Sequence, residues 1–391
     1  MIAPFDFFSV PRIVFGRGKL AALPDLVGPL GPTVLVVHNG SAAATLDRVA
    51  AVLKGRDVRL VPLRQRGEPT VAEVDAGLAK ARTEGCTGVI GVGGGSAIDV
   101  AKALAGLLAN GGSVLDYMEV IGRGQKITKP ALPWLAVPTT AGTGAEVTRN
   151  AVVGEPAQKF KASLRSDLLL PRAAVIDPEL AVGVPANVTA WSGMDALAQC
   201  VEAYTSTGGN PMTDALALKG VELAGRALRA AFHDGKDVAA REQMAMAALL
   251  SGVALTNAGL GAVHGFAAPL GANFDAPHGA ICAALLPLVI EANIMAAAAS
   301  DRPAVIDRYA DAGRALANKP NLEADQALSS AIMGTQQLAA ELGIPPLKRF
   351  GVTAAAVPEI VALAKRSNSM KFNPVVLGDE KLTEVLTRAI G

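Results

Sequence analysis

The sequence predicts an α/β N-terminal domain with a parallel sheet over residues 1–184, followed by an all-α C-terminal domain over residues 185–391. Three observations predict it. In the first half, apolar β-branched runs such as Thr33-Val34-Leu35-Val36-Val37 alternate with helical segments, the pattern of βαβ units whose strands are buried on both faces. Near residues 180–188 those runs give way to long Ala/Leu-rich segments at helical spacing. A chain of 391 residues also exceeds what a single hydrophobic core usually organises.

Taken in order, residues 11–18, Pro-Arg-Ile-Val-Phe-Gly-Arg-Gly, read as a short β-rich run closed by a glycine turn, with a helix from Lys19 to Val27. Strand Thr33–Val37, helix Thr45–Lys54, strand Val58–Pro62, helix Val71–Glu84 and strand Gly88–Val92 follow. The last of these runs into Gly93-Gly94-Gly95-Ser96-Ala97-Ile98-Asp99 and then a helix over Val100–Leu108. Glycines between a buried strand and a helix let backbone approach a ligand, and the free N–H groups of the helix start favour an anion such as a pyrophosphate. Ser96 is of the type that N-caps helices and can also donate to a phosphate. The spacing is not GxGxxG and the turn comes after three strands instead of the first, so the usual Rossmann fingerprint does not apply.

Beyond the turns at Gly111-Gly112 and Gly122-Arg123-Gly124, Trp134–Pro138 is a further strand, and it ends in Thr139-Thr140-Ala141-Gly142-Thr143-Gly144-Ala145-Glu146-Val147-Thr148. These hydroxyls and N–H groups lie at a strand end, where open α/β sheets bind ligands. Ala173–Ile176 is the last strand, broken by Asp177-Pro178. Helices are then expected over Asp195–Thr205, Thr213–Phe232, Ala239–Asn257, Ile281–Ala299, Ala304–Ala317, Asp325–Leu342 and Thr353–Ala364.

Composition narrows the function. Hydrophobic residues make up 51% and charged residues 18%, enough apolar material for large cores. A formal charge of +1 supplies no basic field for nucleic acid, and 4% aromatic residues supply no stacking platform. Cys86, Cys200 and Cys282 are odd in number and far apart, with no CxxC pair, which argues against a disulfide framework and against a cysteine zinc site and fits a reducing cytoplasm. The first residues lack a basic region followed by an apolar one, and the Ala-rich runs are interrupted by charges, Gly or Pro, so neither a signal peptide nor a membrane span is expected.

Candidate chemistry in the second half centres on His264-Gly265-Phe266-Ala267-Ala268-Pro269-Leu270-Gly271-Ala272-Asn273-Phe274-Asp275-Ala276-Pro277-His278-Gly279, which holds two of the four histidines. A straight helix would separate them by about 20 Å. Pro269, Gly271 and Pro277 are expected to prevent one, so the chain turns and the imidazoles can meet. Ser192-Gly193-Met194-Asp195 is read as a helix opening, with Asp195 and Gln199 four apart on one face. Asp195 is either a carboxylate favouring a helix N-terminus or, with His264 and His278, part of an O,N,N ligand set for zinc or ferrous iron.

These motifs resemble, in order and spacing over essentially the whole chain, the group III iron-containing, metal-dependent alcohol dehydrogenases of the dehydroquinate synthase-like fold. Matching segments are Gly93–Asp99, Pro138–Glu146, Asp177-Pro178-Glu179-Leu180, Gly193-Met194-Asp195-Ala196-Leu197, the histidine stretch and Ser369-Met370-Lys371-Phe372-Asn373-Pro374. The resemblance implies an NAD(P)-binding N-terminal domain, a C-terminal domain carrying divalent Fe2+ or Zn2+, and hydride transfer between a nicotinamide and a small alcohol or its aldehyde or ketone. Carried over, it places the pyrophosphate turn at Gly94, Gly95 and Ser96, further cofactor contacts at Asp99, Thr139, Thr140 and Thr143, and Asn150 and Lys161 near the ribose and nicotinamide. Catalytic and metal residues become Asp195, His264 and His278, with Gln199 as a fourth, amide-oxygen ligand. A cytoplasmic homodimer is expected, with neither nucleic acid nor membrane as partner.

The chain departs from the family at Gln199 and Ala268, where the resemblance leads one to expect histidines. The second departure leaves water or a ribose hydroxyl to pass the proton. Asn39, followed by Gly40 and Ser41, stands where NAD-preferring members carry an acid, so NAD and NADP are both open. The departures also leave open a metal-independent reductase of the maleylacetate type and a nucleotide-binding homologue impaired in catalysis.

Overall fold

The structure, a computed structural model, describes residues 2–39 and 43–391. Gly40 and Ser41, named beside Asn39 as part of the adenosine side, lie outside the described residues. Two compact units emerge: residues Phe8–Thr140 with Gly144–Val182, and Gly183–Gly391 joined by Met1–Phe7 and by Ala141–Thr143. The change of composition near residue 183 is thus also a change of unit, but Ala141–Thr143 of the threonine segment goes with the helices.

The first unit contains β1 (Ile13–Phe15), α1 (Leu23–Leu26), β2 (Thr33–Asn39), α2 (Ala43–Val52), β3 (Arg59–Gln65), α3 (Val71–Thr83), β4 (Gly88–Gly93), α4 (Gly95–Asn110), α5 (Val114–Tyr117), β5 (Trp134–Pro138), β6 (Asn150–Glu155), β7 (Phe160–Arg165) and β8 (Ala173–Ile176). Six strands form a wholly parallel sheet in the order β1-β8-β5-β4-β2-β3. The β-branched runs occupy its interior: Val34, Leu35, Val36 and Val37 are fully buried, as are Val89, Ile90 and Val92. Helix α3 starts where the sequence places it because Thr70 forms a capping box with Glu73: the Thr70 hydroxyl accepts from Glu73 N–H and the Glu73 carboxylate accepts from Thr70 N–H. The helix read over Lys19–Val27 is instead a 3₁₀ turn, Lys19–Ala22, followed by the single turn of α1.

Asp177 fastens the end of β8 to the turn after β1, its carboxylate accepting from the backbone N–H groups of Gly18, Leu20 and Glu179. The matched Asp177–Leu180 segment is therefore a brace between strands. The antiparallel pair β6–β7 carries no Asn-Gly or Asp-Gly turn signal; Lys159 takes the left-handed position at φ 49° instead.

The second unit is helical: α6 (Ala186–Thr205), α7 (Pro211–His233), α8 (Val238–Ala258), α9 (Ala262–Asn273), α10 (His278–Ala299), α11 (Pro303–Ala317), α12 (Ala324–Ser329), α13 (Thr335–Glu341), α14 (Val357–Lys365) and α15 (Asp379–Ile390). Its core gathers Met194, Leu197 and Val201 of α6, Val221 and Leu228 of α7, Phe266 of α9 and Leu285 and Leu286 of α10. Small residues permit the tight crossings: a Cβ on Gly193 would lie 2.2 Å from Leu228 Cδ1, and one on Gly220 2.3 Å from Cys200 Sγ. The helix expected over Asp325–Leu342 is interrupted by a π-helical segment, Ser330–Gly334. Helices α8 and α10 are long and apolar enough to cross a membrane, but most of each is buried within the structure.

Two differences from the sequence reading bear on the candidate site. Helix α6 begins at Ala186, so Asp195 lies well inside it and does not serve the helix N-terminus. Helix α9 continues through Pro269 and Gly271 to Asn273, whose side-chain amide donates to the Pro269 carbonyl; the break comes at residues 274–277, and α10 starts at His278 directly after Pro277. A proline late in a helix removes one donor without stopping the last turn.

Candidate active site

In the α/β unit, β2, β4 and β5 end together: Asn39 closes β2, Gly93 pairs with Pro138, and Thr139 N–H donates to the Gly93 carbonyl at 2.9 Å. Gly93 has φ 152°, and a Cβ there would lie 2.3 Å from Asn39 Oδ1. Gly94 faces Thr140 Oγ1, 3.2 Å from where its Cβ would be. Asn39 Oδ1 is buried with no hydrogen-bond partner among the described residues. A glycine cradle at the carboxyl end of a parallel sheet, a helix N-terminus behind it and an orphaned acceptor beside it fit a dinucleotide. Ser96 is not the N-cap expected: Gly94 holds that position and Ser96 sits in the first turn of α4.

Three other expected cofactor residues have structural partners. Asp99 accepts from Val152 N–H at 3.1 Å and stands 3.6 Å from Lys102 Nζ. Lys102, fully buried, donates to Ala145 O, Thr148 Oγ1 and Asn150 O at 2.8, 2.7 and 2.7 Å, and so holds the chain that follows the threonine turn. Burial pushes Asp99 up to about 6 and Lys102 down to about 8, while Glu146, also buried, is pushed up to about 7. Asn150 enters this network through its carbonyl, and Lys161 on β7 pairs with Glu68 at 3.6 Å. Thr143 is grouped with the helical unit, whereas Thr139 and Thr140 belong to the α/β unit.

In the helical unit, Asp195, Gln199 and Glu202 follow one another at i, i+4 and i+7 along one face of α6. His264 comes from the first turn of α9 and His278 from the first residue of α10. Asp195 Oδ1 stands 3.3 Å from His264 Nε2 and 3.6 Å from His278 Nε2. Glu202 accepts from His264 Nδ1 at 2.6 Å and from Val263 N–H at 2.6 Å, fixing both the tautomer and the start of α9. Asn373, in the matched segment near the end of the chain, accepts from Ala262 N–H and so caps the same helix.

Burial opposes charge on both histidines, yet the surrounding Cys282 and Asp195 outweigh it, raising His278 to about 9 and His264 well above its usual range. Burial would likewise raise Asp195, but His278 and His264 hold it below the usual carboxylate range. Such a set of mutually close O and N donors, buried except for the partly exposed His278, fits a divalent cation, whose charge replaces the protons otherwise needed there.

Gln199, expected as an amide-oxygen ligand, is hydrogen-bonded at both ends of its amide. Its Nε2 donates to Asp195 Oδ2 at 2.9 Å and its Oε1 accepts from Ser251 Oγ at 2.7 Å, so the amide oxygen is already engaged. The fourth donor atom converging with Asp195, His264 and His278 is Cys282 Sγ, all four lying within 4.8 Å of one another. Sequence reasoning missed Cys282, Glu202 and Ser251; the i, i+4 spacing of His278 and Cys282 on one helix was the available signal.

Family models match both parts of the chain: iron-containing alcohol dehydrogenase over residues 11–178, and the C-terminal domain of the Fe-containing alcohol dehydrogenase family over residues 189–390. Alcohol dehydrogenase 4 of Saccharomyces cerevisiae is 40% identical over 300 residues, covering 76% of this chain and 78% of that one. The NAD-dependent methanol dehydrogenase of Bacillus methanolicus is 32% identical over 392 residues, covering 98% of this chain and 100% of the relative. Among solved structures, a 1,3-propanediol oxidoreductase superposes with a TM-score of 0.91 at 32% identity, covering 99% of this chain and 100% of the other. With both units matched and their glycine turn and histidine cluster in place, the chain belongs to the iron-containing alcohol dehydrogenase family.

Proposed function

We propose that this alcohol dehydrogenase interconverts a small alcohol and its aldehyde or ketone with NAD, using a divalent metal held by Asp195, His264 and His278. The observation that carries the reading is the approach of Asp195 Oδ1, buried, to both His264 Nε2, buried, and His278 Nε2, whose side chain is 36% exposed. When bound, the metal supplies a Lewis acid for the carbonyl oxygen and the nicotinamide supplies or takes the hydride. Glu202 holds His264 with Nε2 turned towards Asp195. Gln199, itself held by Ser251, fixes the rotamer of Asp195. The N–H groups from Gly94 to Ser96 take the pyrophosphate, with Thr139 and Thr140 beside it.

NAD is favoured over NADP by Asn39. Its Oδ1, without a hydrogen-bond partner among the described residues, calls for a donor, which a ribose hydroxyl provides and a 2′-phosphate does not. The NAD-dependent relative named above points the same way. Three buried cysteines without a disulfide support a reducing, cytoplasmic setting, and the assembly is taken as a homodimer.

A screen of NADH and NADPH oxidation with simple aldehydes and ketones against maleylacetate-like keto acids tests the reading. Faster turnover of NADH with a simple aldehyde is expected. Turnover confined to the unsaturated keto acids, unaffected by chelators, would instead establish the metal-independent reductase.

A further inference from the structure

We propose that Cys282 is the fourth protein ligand of this metal, and that its thiolate biases the site towards zinc over iron. The inference rests on the metal reading above and departs from the sequence expectation, in which Gln199 fills that place.

Cys282 is fully buried on α10, one turn after His278 and on the same face. Its Sγ lies 3.7 Å from His278 Nε2 and 3.8 Å from His264 Nε2. A tetrahedral ion with bonds of about 2.0–2.1 Å to N or O and about 2.3 Å to S spaces its N and O donors about 3.3 Å apart and sulfur about 3.6 Å from each. The corresponding separations here are 3.3 and 3.6 Å for Asp195 with the two histidines, and 3.8 and 3.7 Å for Cys282 with the same nitrogens. These four edges are of the size that a metal tetrahedron needs, and all four donor atoms lie within 4.8 Å of one another. Cys200 provides the contrast: equally buried, its Sγ reaches the Ala247 carbonyl at 3.9 Å, and no histidine or carboxylate among the described residues is hydrogen-bonded to it.

Binding replaces the thiol proton by the ion: the S–H bond breaks, a sulfur–metal bond forms, and the proton leaves to solvent with no change of oxidation state. One carboxylate and one thiolate then balance the double positive charge. Thiolate is a soft donor that strengthens the preference for zinc over iron beyond what a site of only carboxylate, imidazole and amide oxygen gives. Zinc sites can expand to five ligands, so four protein donors do not close the site to substrate.

Cobalt substitution reads the ligand directly. The full-length protein, stripped and reloaded with Co2+, is expected to show visible d–d bands and a near-ultraviolet thiolate-to-cobalt charge-transfer band. Cys282→Ala and the closer-sized Cys282→Ser should keep the d–d bands, lose the charge-transfer band, and lower the zinc-over-iron preference in competition dialysis at least tenfold. Circular dichroism and NAD binding confirm that both variants fold. Wild-type d–d bands without the charge-transfer band, or a charge-transfer band that survives in both variants, would overturn the assignment of Cys282 while leaving the Asp195, His264 and His278 site intact. Absence of d–d bands in the wild type would overturn the metal reading itself.

Discussion

Glu202 accepts from His264 Nδ1 across 2.6 Å, and the two residues belong to helices that the sequence separates by 62 positions. This bond leaves Nε2 as the nitrogen facing Asp195, so one carboxylate of α6 orients the imidazole and another, two turns earlier, shares its ligand position. Glu202→Gln is expected to weaken metal affinity by roughly 10- to 100-fold, the usual effect of removing such a partner. Competition with a chromogenic chelator measures it; unchanged affinity would show that Glu202 serves only the start of α9.

Gln199 and Ser251 form a second support. Gln199→Ala removes the donor to Asp195 Oδ2 and the acceptor for Ser251, and is expected to cost about 1–3 kcal/mol. Denaturant unfolding followed by a helix-sensitive signal gives the value. A loss within about 0.5 kcal/mol, the range of ordinary surface substitutions, would contradict a positioning role.

Gly93→Ala is expected to raise KM for NAD at least tenfold without altering metal content. A Cβ there meets Asn39 Oδ1 at 2.3 Å and Ala97 Cβ at 2.9 Å, on backbone of φ 152° that L side chains rarely adopt. Gly94→Ala, where the Cβ would lie 3.2 Å from Thr140 Oγ1, should have the smaller effect. Steady-state kinetics paired with metal analysis separates the two sites.

The buried groups around Lys102 give an unusual pH dependence. Glu146 is raised from 4.5 to about 7 by burial. The folded chain therefore keeps this proton after the unfolded chain has released it, and stability falls as pH rises from 4.5 through 7. Asp99, raised from 3.8 to about 6, adds a fall over its own interval. Lys102, lowered from 10.5 to about 8, has the opposite sign: the folded chain releases this proton first, so stability rises again between pH 8 and 10.5. Glu146→Gln removes one titration and should flatten the fall from pH 4.5 to 7 by on the order of 3 kcal/mol. Unfolding midpoints of wild type and variant across that range test the sign.

Much of this was legible in the residues. Val34–Val37, Val89–Val92 and Trp134–Pro138 read as buried strands because both faces are covered, and the glycine turn reads as a ligand cradle because strand and helix flank it closely. Asp195, His264 and His278 could be grouped by their match to the family, and the structure brings them together. The β6–β7 pair was not legible because Lys159 makes its turn without a characteristic dipeptide. Glu202 was hidden because its role depends on where α9 starts in space. Asp99 looked like part of the nucleotide turn, yet helical geometry carries its carboxylate to Val152 and Lys102. Cys282 escapes a search for CxxC pairs, since its partners are histidines on two helices and a carboxylate on a third.

Metal content and activity measured on the same samples test the central claim most directly. Elemental analysis of the purified protein should find one divalent ion per chain, and His264→Ala and His278→Ala should lose ion and alcohol oxidation together while still binding NAD. Full activity in rigorously metal-free wild-type protein would contradict the account.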